Sequence, residues 1–262
     1  MHHLKKRPIA LIFTALCGSS ALVACSHEQT PAPDASLVTL AMSARVDGRT
    51  QQATELFTEI ARLCGHKANG ETPEECSQDT IINNSTTMPA PQDISAAARQ
   101  IRDQSQAIPV SSRGLIASQY SALISQGAVN APADLKLQIA SSTNTADINA
   151  IKDALSWEYS TIAGLSIASA YTHADVDSIL AAHRDVAEYL AHLLQAANID
   201  APVASAGYTF NGTTPNNEDT ANAFVAQAKT QAVNLWLNAA QNAQSSQWYA
   251  ASLWALGAVS AT

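Results

Sequence analysis

The chain has 262 residues, with 14 Lys and Arg against 22 Asp and Glu for a net charge of −8, and 47% of it is hydrophobic. That is enough apolar material for one large helical core or two smaller ones, and the acidic balance repels nucleic acid and anionic headgroups. No P-loop, dinucleotide fingerprint, Gly-x-Ser-x-Gly elbow or His-Glu-x-x-His motif occurs, so those chemistries have no starting point in the sequence.

The first element is a leader. Lys5, Lys6 and Arg7 precede an apolar stretch, Ile9 to Ala24, that ends in Leu22-Val23-Ala24-Cys25. The stretch is short for a bilayer span and has the basic, apolar and small-residue regions of a secretory signal. With cysteine at the cut it resembles a bacterial lipoprotein signal. That resemblance implies cleavage after residue 24 and a diacylglyceryl group on Cys25, and two or more acyl chains hold a protein stably where one is marginal. The alternative is an ordinary secretory signal with an incidental Cys25. Against it stands the tract 25–34, which is polar and carries Pro31 and Pro33, as a tether should. The expectation is a protein on the extracytoplasmic side of the cell membrane, held through the lipid on Cys25. Losing Lys5, Lys6 and Arg7 with the signal leaves twice as many acids as bases. The last apolar region, Trp248 to Ala261, is shorter than a span and interrupted by Ser252, Gly257 and Ser260.

Of four cysteines, Cys17 leaves with the signal and Cys25 takes the lipid. Cys64 and Cys76 remain, and an even pair in an oxidising compartment reads as a disulfide. It closes a polar, turn-rich loop of about a dozen residues, worth roughly 3 kcal/mol by the chain-entropy argument. The alternative is a metal site using His66, Glu71, Glu74 and Glu75, which lacks the second close cysteine pair that zinc sites favour.

The rest reads as helix throughout. Asp34 caps a helix predicted over 35–63, with Leu37, Leu40, Ala44, Leu56, Ile60 and Leu63 on one side and Gly48 as its weak point. An irregular segment, 65–92, follows. Asp93 starts a short helix through Ile101 that ends before Pro109, and Ser112 caps another through Leu123. Residues 35–140 therefore form an N-terminal helical region, closed by Val129-Asn130-Ala131-Pro132 and the polar tract 141–145. From 146 to 262 four helices are expected in two antiparallel pairs, at 146–171 with 174–197 and at 218–242 with 246–259. Thr172 to Asp175 offers a capping-box variant between the first two. The connection 198–217, with two prolines and two glycines, is long enough to travel the length of a bundle. Two hairpins joined by one long crossover is ferritin-like connectivity.

The stretch from Asp147 to Thr262 also resembles a ferritin-like domain-of-unknown-function family of exported or lipid-anchored actinobacterial proteins. The resemblance rests on Ala154-Leu155-Ser156-Trp157-Glu158-Tyr159, on Ala182-His183-Arg184-Asp185, on Gly207-Tyr208-Thr209-Phe210, and on an alanine-rich second pair ending in a Trp-bearing helix. It implies a fold more than an activity.

Glu158 lies on the stripe Ile148, Ile151, Leu155, Ile162 and Leu165, and His183 on Val176, Ile179, Leu180, Val186, Leu190 and Leu194. About equally far from the turn, they face each other across the hairpin within roughly one helical turn in height. A di-metal carboxylate site requires a Glu from each of two helices and a Glu-x-x-His from each of the other two. Leu180 precedes His183 at the required spacing, and from Thr220 to Thr262 there is no Asp, Glu, His or Cys. The inward stripe there is Phe224, Val225, Ala228, Ala232, Leu235 and Ala239. Glu158 and His183 are thus expected as a buried polar pair, a weak candidate for a binding site, with no metal and no cofactor. Trp157, Trp236, Trp248 and Trp254 read as core. The expected function is a non-catalytic binding or interaction module for an envelope protein or small ligand. The alternatives are a carrier of an apolar ligand in a bundle cavity and a metal-dependent redox enzyme.

Overall fold

The structure is a computed structural model that describes residues 31–86, 88–128, 144–210 and 214–261. The leader 1–24, Cys25 and the boundary tract 129–143 lie outside the described residues. Pro31 to Thr262 form one compact unit, helical throughout with no strand among the described residues.

The expected helix over 35–63 is two helices, α1 (Ala35–Val46) and α2 (Thr50–Cys64). Gly48 is the cause. Its φ of 72° is left-handed, and the Asp47 and Arg49 amides bond back to Ser43 and Ala44 carbonyls, closing α1 as glycine-terminated helices close. Asp34 caps α1 as expected, accepting from the Ser36 and Leu37 amides at 3.0 Å each. The hairpin buries Leu37, Leu40, Leu56, Phe57 and Ile60. Asp47 then serves twice, pairing with Arg49 at 2.7 Å and accepting from the Gln92 amide at 2.7 Å.

The segment 65–92 is not wholly irregular. A 3-10 turn, Glu74–Cys76, and the short α3 (Gln78–Asn84) carry Cys76 against α2, where it is disulfide-bonded to Cys64. The bond removes both thiols from the metal alternative, and His66, Glu71, Glu74 and Glu75 are all exposed.

α4 (Ile94–Asp103) begins at Asp93, whose carboxylate accepts from the Ala96 amide. α5 (Arg113–Ser125) departs from expectation at its start: Ser112 makes no side-chain cap but donates its hydroxyl to Glu59 at 2.6 Å. Glu59 also accepts two hydrogen bonds from Arg62, so one carboxylate clamps the start of α5 to α2.

The C-terminal helices are α6 (Thr145–Ala168), α7 (Asp177–Ala196), α8 (Glu218–Asn242) and α9 (Ser246–Ser260). The α8–α9 limits match expectation; the first pair is shorter. No capping box opens α7: its N-cap is Val176, and Thr172 instead bonds Asn222 of α8. α6 pairs with α7 and α8 with α9; α6 also packs beside α8, and α7 beside α9. Asp147 at the start of α6 meets the end of α8, and Gly164 near its finish meets Phe224 near the start of α8, so α6 and α8 are antiparallel. A Cβ at Gly164 would fall 2.1 Å from Phe224, so glycine sets that approach.

The N-terminal helices share the core of these four: α5 lies on α8 and α9, and α4 on α9. Encircled, α9 is buried on nearly every face, which explains an apolar helix without polar stripe. The same crowding shifts α8. Its most buried residues are Ala221, Val225, Ala228, Ala232, Trp236 and Ala240, whereas the expected Phe224, Leu235 and Ala239 are half-buried. The covered face of α8 runs through Val225, Ala228, Ala232 and Trp236, so it keeps the middle of the expected stripe and turns Phe224, Leu235 and Ala239 toward its edge.

The Glu59 clamp carries a pH signature. Its hydrogen bonds from Arg62, then that from Ser112 and the Arg62 charge, outweigh burial and hold the carboxyl below its ordinary value. The native state therefore binds fewer protons than the unfolded state in that range, and the stability is present above an ordinary carboxyl pKa near ~4.3 and lost as pH falls through the lowered folded value. Glu59→Gln should lower the melting temperature at pH 6 and differ much less from wild type near pH 2.5. Parallel melts across that range check it.

Candidate functional site

The centre of the four C-terminal helices takes one side chain from each: Glu158 of α6, His183 of α7, Trp236 of α8 and Trp248 of α9. The His183 Nδ1 is hydrogen-bonded to Glu158 Oε2 at 2.5 Å, a bond carrying one proton that either partner supplies. The Trp236 indole N–H donates to Glu158 Oε1 at 3.0 Å. Both carboxylate oxygens are thus engaged, and Glu158, His183 and Trp236 are 0%, 1% and 0% exposed.

Aromatic rings complete the surroundings. Trp157 lies beside the His183 imidazole with ring centroids 5.8 Å apart, and Trp236 meets Trp248 edge-on at 5.9 Å. In this apolar shell burial pushes the Glu158 carboxyl above its ordinary value, against the opposing pull of His183 and Trp236. A carboxyl so raised is easier to protonate than an ordinary one. Here, however, its two oxygens face protein donors, and a metal ion would have to displace one of them.

A second polar cluster lies at the other end of α6. Asp147, 2% exposed, accepts from the Gln244 amide at 3.0 Å and the Ser245 amide at 2.7 Å, holding the α8–α9 turn. The buried Arg113 donates to the Ala243 carbonyl at 2.7 Å and lies over the Tyr249 ring at 5.2 Å. Burial pulls Arg113 below its ordinary value, with Tyr249 and Asp147 opposing, and pushes the Tyr249 phenol up. These groups lock the N-terminal helices to the turn and leave nothing reactive exposed.

Sequence reasoning brought Glu158 and His183 together but missed Trp236, Asp147 and Arg113. The only sequence signal for Trp236 was general: a fully buried carboxylate has two oxygens to satisfy, and which donor of the second hairpin reaches it is set by docking rather than locally. His173 and His192 are exposed and away from the centre. Among the described residues no group of three or more His, Cys, Asp or Glu is placed to hold a metal ion.

Substitutions separate the roles within the network. Glu158→Gln keeps an acceptor for Trp236 and a donor for His183, and should cost less than about 1 kcal/mol. Glu158→Leu leaves two buried groups unpaired and should cost about 3 kcal/mol or more, with His183→Leu between them at about 1–3 kcal/mol. Denaturant melts of the three variants give the order, and a harmless Glu158→Leu would contradict the assignment.

Comparison with protein-family models, curated proteins and solved structures finds no match to this chain, so its family and function rest on its own residues.

Proposed function

We propose that the chain is a lipid-anchored cell-envelope protein whose four C-terminal helices are a ferritin-like bundle without a working metal site, serving as a binding or interaction module. The observation that carries this reading is the closed state of Glu158, whose two oxygens are satisfied by His183 and Trp236. A ferritin-like redox enzyme keeps its carboxylates open to metal and supplies several from facing helices. Here α8 and α9 contribute two indoles in their place. The connectivity supports the bundle reading: an α6–α7 hairpin, a long return, and an α8–α9 hairpin laid antiparallel against the first. The ferritin-like family named from the sequence motifs belongs to this same proposal.

The anchor reading rests on Leu22-Val23-Ala24-Cys25 and on the polar tract that follows it. Among the described residues no helix is long and apolar enough to cross a membrane. As a carrier, the protein would need space between the alanine-rich hairpin and the N-terminal helices. Tyr120, Trp248 and Tyr249 are fully buried in that region, which weighs for the interaction module.

Cys25→Ser tests the anchor. The variant should leave the membrane fraction or retain its signal, as shown by fractionation and intact mass. Normal processing with undiminished membrane retention would contradict it. For the module, cross-linking in intact envelope followed by affinity purification should recover a specific ligand or partner with the wild-type protein.

A further inference from the structure

Two clefts lie end to end on one face of the α6–α8 seam. The smaller, about 100 Å³, is lined by Trp157 and Ser160 of α6, Gln227 and Gln231 of α8, and the Phe210–Phe224 pair. The larger, about 500 Å³, begins one turn farther along each helix, over a floor of Ala150, Ala154, Leu235 and Ala239 with Asn238 and Asn242 at its edge. The α8 positions 227, 231, 235, 238 and 242 recur at helical spacing and so share one stripe. From Gln227 to Asn242 that stripe runs about 22 Å, at 1.5 Å per residue.

The chemistry of this wall is unusual for an acidic chain. From Thr220 to Thr262 the only charged side chain is Lys229, although much of α8 is exposed. Where solubility alone would be served by Glu and Lys, α8 presents Gln231, Asn234, Asn238 and Asn242. The lining carries two carboxylates, Asp147, which already holds two backbone amides, and Asp153 at the rim; it carries no cation. Primary amides both donate and accept, as sugar hydroxyls do. The aromatic end, where Phe210 meets Phe224 edge-on at 5.3 Å beside Trp157, offers half-buried apolar rings against which the C–H face of a sugar can pack.

We propose that the α6–α8 seam binds a neutral polysaccharide chain, with Trp157 and the Phe210–Phe224 pair receiving one sugar ring and the α8 amides bonding the hydroxyls of the rings that follow. This rests on the reading of the protein as a binding module and names its ligand class. An anionic polymer would meet an acidic protein without a cation in the groove. An extended peptide would bring charged side chains that the groove does not complement. A neutral glycan needs what the seam provides: uncharged donors and acceptors along a path, and an aromatic stop at one end.

The test is affinity electrophoresis of the purified protein through gels containing dextran, mannan or arabinogalactan, with alginate as the anionic comparison. A peptide array is probed with the same protein. At least one neutral polysaccharide should retard the wild type, and the double variant Gln231→Ala, Asn238→Ala should bind it at least about tenfold more weakly, as loss of two hydrogen bonds requires. Both substituted side chains are exposed, so the melting temperature should stay within a degree or so of wild type. Absence of retardation by all three neutral polymers overturns the proposal. So does retardation that survives the double substitution, stronger retardation by alginate, or binding confined to peptides. Recovery of an envelope protein partner indifferent to the double substitution would leave the module reading intact while removing the glycan groove.

Discussion

A carboxyl group with no exposure to solvent holds the C-terminal helices to one arrangement. Burying Glu158 without partners would cost several kcal/mol, and the chain offsets that by supplying an imidazole from α7 and an indole N–H from α8. Each donor is reachable only if its helix sits at one height and one rotation. Sliding α7 by a turn would take His183 away and place Leu180 or Ala187 against the carboxyl. The network therefore selects a register among packings that an alanine-rich interface would otherwise tolerate. That is a contribution to specificity more than to net stability.

The second constraint is set at the opposite end. Asp147 grips the α8–α9 turn, and Glu158 lies about three turns farther up α6 while Trp236 lies about two and a half turns back down α8. The two polar contacts thus fix the same antiparallel alignment from two places. Arg113 extends the alignment to the N-terminal helices through the Ala243 carbonyl and the Tyr249 ring. The clefts of the α6–α8 seam lie on the outer side of this doubly fixed pair, so most of their walls are helical, with Phe210 of the α7–α8 connection closing the aromatic end.

Where periodicity and capping chemistry were unambiguous, the sequence was legible. Asp34 and Asp93 cap helices because their short side chains reach amides two or three residues on, and the stripe on α7 is buried at every expected position. Local signals failed where tertiary partners competed for the same atoms. Ser112 gives its hydroxyl to Glu59 in place of capping α5, while Thr172 donates to Asn222 and accepts only from the Ala174 amide, short of the start of α7. Gly48 was visible as a weak point, but nothing local said that the chain would reverse there. The pairing of Glu158 with His183 followed from their common distance to one turn. Trp236 did not follow, because its height relative to Glu158 depends on how a second hairpin docks, and a long connection leaves that docking open. The glycan-facing stripe was hidden for a related reason: uncharged amides on α8 become meaningful only when α6 is known to lie alongside them.

Glu158 bonds His183 through one oxygen and Trp236 through the other, and the proposed metal-free bundle depends on those contacts holding against an offered ion. The most direct measurement is anomalous diffraction at the manganese and iron edges from crystals of the purified protein grown with each divalent ion in excess. No ordered ion should lie within bonding distance of Glu158 or His183, and the His183–Glu158–Trp236 contacts should be unchanged. An ion coordinated by the Glu158 carboxylate, with Trp236 or His183 turned away to admit it, would show instead a working metal site.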